Sequence, residues 1–241
     1  MKHYYRKARI IMYHRVLLKI SGEALSSEQS VICRETVFDA VTKIKSILKK
    51  GIQIGIVIGG GNIMRGRSAE GMERNRADHI GMLATAINAL ALQDALEAAG
   101  VPCVVQSAVD MDRFCDAYSA RSAKRALAEG KVVVFACGSG CPFFSTDTAA
   151  ALRAAEIGAD ALLLARNIDA IYSADPKTDP TAVRYSRISY DRVVAEALRA
   201  TDLTAITLCK EQKIPIRVFA LAQIDKIFDD DSIGTHIAEN D

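Results

Sequence analysis

The chain has 241 residues, 50% of them hydrophobic, and 31 Lys and Arg residues balance 29 Asp and Glu. A chain of this length and apolar content has enough material to bury a large core. The net charge of +2, the absence of Trp and the scarcity of other aromatic residues exclude the basic, aromatic-rich composition of single-strand nucleic-acid binders. We therefore expect no requirement for nucleic acid.

The cysteines and the lack of a membrane-length apolar run indicate a cytoplasmic protein. Residues 1–13 are expected to form a flexible basic tail, in which Met12 is an alternative start, and residues 14–241 a single domain. No segment reaches the ~18 uninterrupted apolar residues of a membrane span. The six Cys residues include no C-x-x-C pair, so we expect reduced thiols and no metal site built by the protein itself.

Six short runs rich in Val, Ile and Leu predict buried strands. Their residues are apolar without alternation, which is typical of strands covered on both faces of a parallel sheet. The predicted strands are residues 15–20, 52–58, 101–106, 131–136, 159–164 and 216–219.

Four helical patterns lie between these strands, and a Gly follows each of them. The predicted helices are residues 34–50, 78–99, 122–129 and 146–157. This alternation predicts an α/β fold, a three-layer αβα sandwich with a mostly parallel open sheet. The polar stretch 169–187 is expected to be a surface loop or hairpin.

Phosphate-binding features follow the first two predicted strands. Lys19 stands at the carboxyl end of the first strand and is followed by Ile20, Ser21 and Gly22, and ligands bind at such strand ends in open parallel sheets. The alternative is an ordinary solvated Lys. The second strand runs into three glycines at 59–61, whose backbone amides can approach a phosphate, with Arg65 as a nearby guanidinium. The alternative there is a flexible turn, and neither the Walker pattern nor G-x-G-x-x-G is present.

A third polar segment follows the strand at 131–136. Glycines, hydroxyls and Asp147 lie just before a predicted helix. Asp147 either caps that helix or orients Lys19 and handles metal-bound phosphate. Phe143 and Phe144 either pack against a base or fill the core, and we expect at least one of them in the core.

Two further positions are ambiguous on spacing alone. Asp78 stands at the predicted start of the long helix, where an Asp usually acts as a cap. After the strand at 159–164, Tyr172 offers a ring for a base and Asp175 offers ribose or metal contacts. We expect segments 19–22, 59–65 and 138–147 to meet at one edge of the sheet, because parallel strands end on the same side.

Several segments occur in a characteristic order: 15–25, 57–62, 65–66, 78–84, 142–147, 173–176 and 214–219. Together they resemble the bacterial UMP kinases of the amino-acid-kinase superfamily, over nearly all of the chain from residue 14 onward. The resemblance implies direct transfer of the ATP γ-phosphate to UMP with nucleotide-bound Mg²⁺, in pyrimidine nucleotide biosynthesis. It also implies that the N-terminal part of the domain binds the monophosphate and the C-terminal part binds ATP.

The resemblance assigns roles to individual residues. Lys19, Asp147 and Arg65 are implied to be catalytic. The implied ATP-binding residues are Lys19, Ile20, Ser21, Gly22, Gly61, Arg65, Asn167, Tyr172 and Asp175. The implied UMP-binding residues are Gly60, Asp78, Ser139, Gly140, Cys141, Pro142, Phe143, Phe144, Ser145 and Thr146.

The resemblance further implies a homohexamer that UTP inhibits. The chain departs from the family pattern at several positions. The effector segment is 26–30, the basic residues that serve activation by GTP in some members are replaced by Gln93, Glu97 and Val104, and Arg166 stands in a segment where the family usually has lysines. Two alternatives remain: an enzyme of the same superfamily with another acceptor, such as carbamate or an amino-acid carboxylate, and a nucleotide-sensing regulator without turnover.

Overall fold

A mostly parallel sheet forms the centre of the molecule in the computed structural model, which describes residues 13–64, 71–198 and 201–240. The predicted tail lies outside these ranges except for Tyr13. The strands are β1 Arg15–Ile20, β2 Gln53–Ile58, β3 Cys103–Ser107, β4 Asp116–Ala117, β5 Val132–Ala136, β6 Ala161–Arg166, β7 Ile171–Tyr172, β8 Arg184–Tyr185, β9 Arg187–Ser189, β10 Ile216–Ala220 and β11 Thr235–Ala238. Within the described ranges, nine strands pair in the order β4-β3-β5-β2-β1-β6-β10-β11-β9, and only the β10–β11 pair is antiparallel.

Helices cover both faces of this sheet. They are α1 Arg34–Leu48, α2 Arg74–Ala98, α3 Ala120–Ala128, α4 Thr146–Ile157, α5 Tyr190–Ala195 and α6 Leu203–Gln212. The four predicted helices and six predicted strands are confirmed, although α2 begins four residues earlier than expected. The short strands β4, β9 and β11 and the helices α5 and α6 were not predicted.

The alternation of side chains in β1 shows why the strands lack alternating polarity. Val16 and Leu18 point into a core shared with α1 and α2, whereas Leu17 points into a second core shared with α3, α4, α5 and α6. Both faces of the strand are buried, so both require apolar residues. This arrangement confirms the three-layer αβα prediction.

The register places four strand ends together. β1 lies between β2 and β6, and Ile20 pairs with both Ile58 and Ala165, while β5 lies on the other side of β2. The carboxyl ends of these parallel strands therefore form one continuous edge. Beside the sheet, β7 and β8 form a two-stranded antiparallel hairpin, which confirms the expectation for 169–187. In the described parts of the chain, no helix combines the length and the hydrophobicity needed to cross a bilayer.

Candidate active site

The turns after β1 and β2 lie directly against each other. A Cβ atom on Gly22 would lie only 2.5 Å from the carbonyl oxygen of Gly59, so this close approach requires glycine. The Gly59 amide donates to the Ile20 carbonyl oxygen at 2.9 Å and is therefore already used. The expected convergence of the first two motifs is confirmed for residues 19–22 and 59–64.

The triple glycine also packs tightly on α2. A Cβ on Gly60 would lie 2.8 Å from the carbonyl oxygen of Gly81 and 2.9 Å from the Cβ of Ala84. Gly60 is buried, which disfavours the flexible-turn interpretation. Glycine at position 60 therefore allows this turn to pack closely on α2.

Asn88 fixes this turn from inside α2. The side chain is fully buried, and its Nδ2 donates to the Gly59 carbonyl oxygen at 2.7 Å and to Asn62 Oδ1 at 2.8 Å. Sequence analysis missed Asn88. The sequence does contain a signal that could have identified Asn88, namely an amide side chain on the apolar face of a long helix. A polar side chain buried at such a position needs a specific hydrogen-bond partner.

Lys19 is only 7% exposed, so the solvated-lysine interpretation is wrong. Its Nζ lies 2.9 Å from Asp147 Oδ1. The other carboxylate oxygen, Oδ2, accepts from Arg166 Nη2 and from the Thr201 hydroxyl, the latter at 2.9 Å. One carboxylate thus links the ends of β1 and β6 with the start of α4.

The electrostatic surroundings keep Asp147 ionised. Burial raises the pKa of this carboxyl group, but the ammonium of Lys19 and the guanidinium of Arg166 outweigh burial and hold the pKa at about 2. Because charged neighbours stabilise the carboxylate form, Asp147 carries a full negative charge at neutral pH.

The helix-cap interpretation of Asp147 is wrong, because Ser145 is the N-cap of α4. The Ser145 hydroxyl accepts from the backbone amides of Asp147 at 3.0 Å and Thr148 at 3.3 Å. It also donates to the carboxylate of Asp202, which itself caps α6 through the amide of Ala205 at 2.7 Å. Asp202 therefore joins the N-termini of two helices beside the buried ion pair.

Asp78 is not a helix cap either. α2 begins at Arg74, and the Glu73 carboxylate caps it. Asp78 lies one turn further on, and its Oδ2 accepts from Arg74 Nε at 2.9 Å and from the backbone amide of Phe143 at 2.9 Å. Phe143 has φ +71°, a conformation that non-glycine residues adopt rarely and that this contact to Asp78 helps to hold.

A pocket opens between α2 and the loop after β5, with about 660 Å³ of empty space including its open mouth. Of the predicted UMP-binding residues, those that line it are Gly60, Asp78, Ser139, Cys141, Phe144, Ser145 and Thr146. Gly140, Pro142 and Phe143 lie in the same loop. Arg74 and Thr85 also line the pocket, and sequence analysis did not single them out.

The expectation that Phe143 or Phe144 fills the core is wrong. Phe143 is 59% exposed and Phe144 is 53% exposed. The guanidinium of Arg74 lies 5.8 Å from the Phe143 ring centre, so the ring packs beside a cation at the mouth of the pocket.

The residues predicted for adenosine lie on the other side of Lys19. Asn167 follows β6 and its Nδ2 donates to Glu23 at 3.2 Å, which ties the turn after β6 to the turn after β1. Tyr172 and Asp175 lie on the β7–β8 hairpin and its connection, where their contacts are local: Tyr172 donates to Asp169, and Asp175 accepts from the amide of Lys177. Arg65 lies outside the described residues.

Comparison with known proteins gives consistent matches over almost the whole chain. The sequence model described as the amino acid kinase family matches residues 14–220. The structure resembles that of the UMP kinase from Bacillus anthracis, with a TM-score of 0.91, 33% identity and coverage of 95% of this chain and 97% of that one.

Two further solved structures extend this likeness. The UMP kinase from Ureaplasma parvum gives a TM-score of 0.89 at 36% identity, covering 95% of this chain and 100% of the other. The uridylate kinase from Archaeoglobus fulgidus gives 0.71 at 30% identity, covering 92% and 99%. The α/β fold and these matches identify the chain as a kinase. The chain belongs to the amino acid kinase family.

Proposed function

We propose that this chain is a UMP kinase, which reversibly transfers the γ-phosphoryl group of ATP to UMP and yields UDP and ADP. The observation that carries the proposal is the position of the Lys19–Asp147–Arg166 cluster. The cluster lies at the ends of β1 and β6, and Asp147 directly follows Thr146, which lines the pocket of α2. A phosphoryl group in transit between two nucleotides needs positive charge at such a boundary.

The pocket between α2 and the loop after β5 is the proposed UMP site. Asp78 would bind the ribose hydroxyls, because a carboxylate has about four acceptor positions and Arg74 and Phe143 occupy only part of this capacity. Arg74 lines the pocket and would add a cation near the monophosphate, and residues 139–146 would surround the nucleotide together with Gly60.

The ATP site is proposed on the opposite side of Lys19. The backbone of residues 19–22 and Gly61 would face the phosphates, together with Lys19 and Arg65. Asn167, Tyr172 and Asp175 would contact the adenosine. The hydrogen bond from Asn167 to Glu23 supports this arrangement, since it holds two of the proposed segments next to each other.

The chemistry proposed for this site needs no side-chain nucleophile. A phosphate oxygen of UMP, already anionic, attacks the γ-phosphorus in line as the bond to the β,γ-bridging oxygen breaks, and ADP leaves with that electron pair. Mg²⁺ would enter with ATP and supply charge neutralisation. Both oxygens of Asp147 already contact cations, so its main contribution is to fix Lys19.

The test is an acceptor panel with the purified protein, MgATP and an assay of ADP release. UMP should be converted to UDP, CMP and dCMP should be poor acceptors, and carbamate, aspartate and glutamate should give no product above background. dUMP should react less well than UMP if Asp78 holds a ribose 2′-hydroxyl. Release of ADP with a carboxylate but not with UMP would assign the chain to another acceptor.

A homohexamer is part of the proposal, and the outer face of α2 supports self-association. Leu83 and Ile87 lie one turn apart on this helix and are both exposed, an arrangement that commonly marks an interface. Leu83→Glu should lower the oligomeric mass in analytical ultracentrifugation, with Thr42→Glu on the exposed side of α1 as the control. An unchanged mass would place the interface elsewhere. The proposal also includes inhibition by UTP, a cytoplasmic location and a role in pyrimidine biosynthesis.

A further inference from the structure

A recess lies beside β4, which forms one edge of the nine-stranded sheet. It has about 560 Å³ of empty space, including its open mouth, and none of its lining residues belongs to the pocket of α2. This β4 recess is lined by Gln106, Asp112, Cys115, Asp116, Ala117 and Ser122. It is therefore a candidate site apart from the proposed active site.

Gln106 on β3 presents a buried oxygen to the recess. The residue is 3% exposed, and its Nε2 donates to the Ser122 hydroxyl at 3.1 Å. That hydroxyl donates its single proton to the Ser119 carbonyl oxygen at 3.0 Å, so Gln106 must turn its nitrogen towards Ser122. Among the residues that the structure describes, Gln106 Oε1 has no hydrogen-bond partner. A buried oxygen left unpaired is costly, so its position points to a ligand that donates a hydrogen bond.

Two carboxylates accompany this oxygen. Asp116 pairs with Gln106 in the parallel register of β3 and β4, so both side chains leave the sheet on the same face. Asp112 lines the recess from the loop before β4. Across the described ranges, neither carboxylate takes part in an ion pair, and no Lys, Arg or His lines the recess. The recess thus combines three acceptor groups with two negative charges.

The acceptors and the size of the recess favour an organic cation over a metal ion. Within the described residues, no group of three His, Cys, Asp or Glu side chains could hold a metal. Burial, followed by Cys137 and Asp116, raises the pKa of the Cys115 thiol, so this group stays neutral at pH 7 and offers no thiolate. A primary ammonium group donates three hydrogen bonds and accepts none, which matches a cluster of acceptors.

We propose that the β4 recess binds a small organic cation of the alkyl diamine class. One ammonium group would contact both Gln106 Oε1 and the Asp116 carboxylate, whose strands lie about 5 Å apart. The second ammonium group would pair with Asp112. Two positive charges then balance two carboxylates, and the buried oxygen gains a donor. The proposal does not depend on the proposed kinase activity, because the two sites share no lining residue.

The test uses 1,4-diaminobutane and the full-length chain without nucleotide or Mg²⁺. Calorimetry should show saturable binding with a Kd of about 1 mM or tighter, and the melting temperature should rise with diamine concentration because the ligand binds the folded chain. Butylammonium should bind more weakly, because it balances only one carboxylate. Tetramethylammonium should not bind, because it has no N–H donor. No saturation below about 10 mM, or equal binding of tetramethylammonium, would overturn the proposal.

Three variants locate the binding. Asp116→Asn should weaken diamine binding about tenfold or more, and Gln106→Leu, which removes the buried oxygen but no charge, about 5–10-fold. Asp110→Asn is the matched control, because Asp110 is an exposed carboxylate of the same loop that does not line the recess. Its affinity should equal that of the wild type. Equal losses in the Asp110 and Asp116 variants would reduce the effect to general charge attraction and contradict the proposal.

Two other occupants would give different results. If Mg²⁺ or Ca²⁺ alone raised the melting temperature of the wild type but not of Asp116→Asn, the recess would be a metal site. If Asp116→Asn lowered the oligomeric mass in analytical ultracentrifugation, a cationic side chain of a second copy would occupy the recess. Either result would overturn the diamine proposal, which predicts an unchanged mass and the same response of both chains to the metal ions.

Discussion

Replacing Asp147 with Asn removes the one negative charge between Lys19 and Arg166 and keeps the size of the side chain. The pKa of Asp147 is about 2, against an ordinary value of 3.8. A tenfold change in proton affinity is worth about 1.4 kcal/mol, so the ionised group stabilises the fold by about 2–3 kcal/mol at neutral pH. The Asn variant also leaves two cations without a counter-charge, and we expect a total loss of about 3–5 kcal/mol in the free energy of unfolding.

The pH dependence of this loss has a definite sign. A carboxyl group whose pKa is lower in the folded chain contributes its full stabilisation above pH ~4, and the contribution disappears as the pH falls from about 4 to about 2. The wild-type protein should therefore lose about 1 kcal/mol more than the Asn variant between pH 7 and pH 3.

Urea unfolding followed by far-UV circular dichroism at pH 7, 5 and 3 measures both effects, and the absence of Trp makes dichroism the suitable signal. Asp39→Asn is the matched control, because its exposed pair with Lys43 on α1 is worth less than about 1 kcal/mol. If Asp147→Asn were as stable as the wild type at pH 7, or if the difference were the same at pH 7 and pH 3, the proposed charge cluster would be refuted.

Three further substitutions test separate parts of the site. Lys19→Ala should keep the fold and lower turnover by ~10³-fold or more, and a near-normal rate in a steady-state assay would remove Lys19 from the mechanism. Gly60→Ala should lower the melting temperature and raise the KM for UMP, because its Cβ would lie 2.8 Å from the Gly81 carbonyl oxygen; an unchanged KM would separate this turn from the pocket. Thr85→Val should cost about 1–3 kcal/mol in urea unfolding because the buried Cys137 amide loses its 2.8 Å acceptor, and Thr85→Ser should restore most of that stability unless the bond is unimportant.

Local sequence predicted the elements that are buried on both faces or end at a glycine. The bounds of β1 and α4 agree with the structure at both ends, because each combines an apolar run with a clear stop. α5 and α6 were missed because α5 has only six residues and α6 mixes polar and apolar positions with little periodicity. The short β11 is defined by its pairing with β10 and β9, which no local pattern reveals.

In the site, the sequence predicted which residues are functional candidates but not which partners they contact. Sequence analysis selected Asp147 and Asp78 as functional candidates, but capping remained an equally physical interpretation of an Asp near a helix start. In the structure, the N-cap of α4 is Ser145 and the N-cap of α2 is Glu73. Which residue caps a helix depends on where the helix begins, and the sequence does not fix that position. The role of Asp202 could not be predicted, because Asp202 joins two helices that lie over 40 residues apart in the chain. One of those helices, α6, was itself not predicted.

The connection between these helices explains how two cations can share one carboxylate before any substrate arrives. Thr201 donates to Asp147 and the adjacent Asp202 accepts from Ser145, so the start of α6 holds the start of α4 by two neighbouring residues. Asp147 is thereby held by the Thr201 hydroxyl as well as by its cations. Lys19 and Arg166 can then remain close together at one carboxylate. In the proposed reaction, two cations held at fixed positions would stabilise a phosphoryl group in transfer without the reorganisation that water would require.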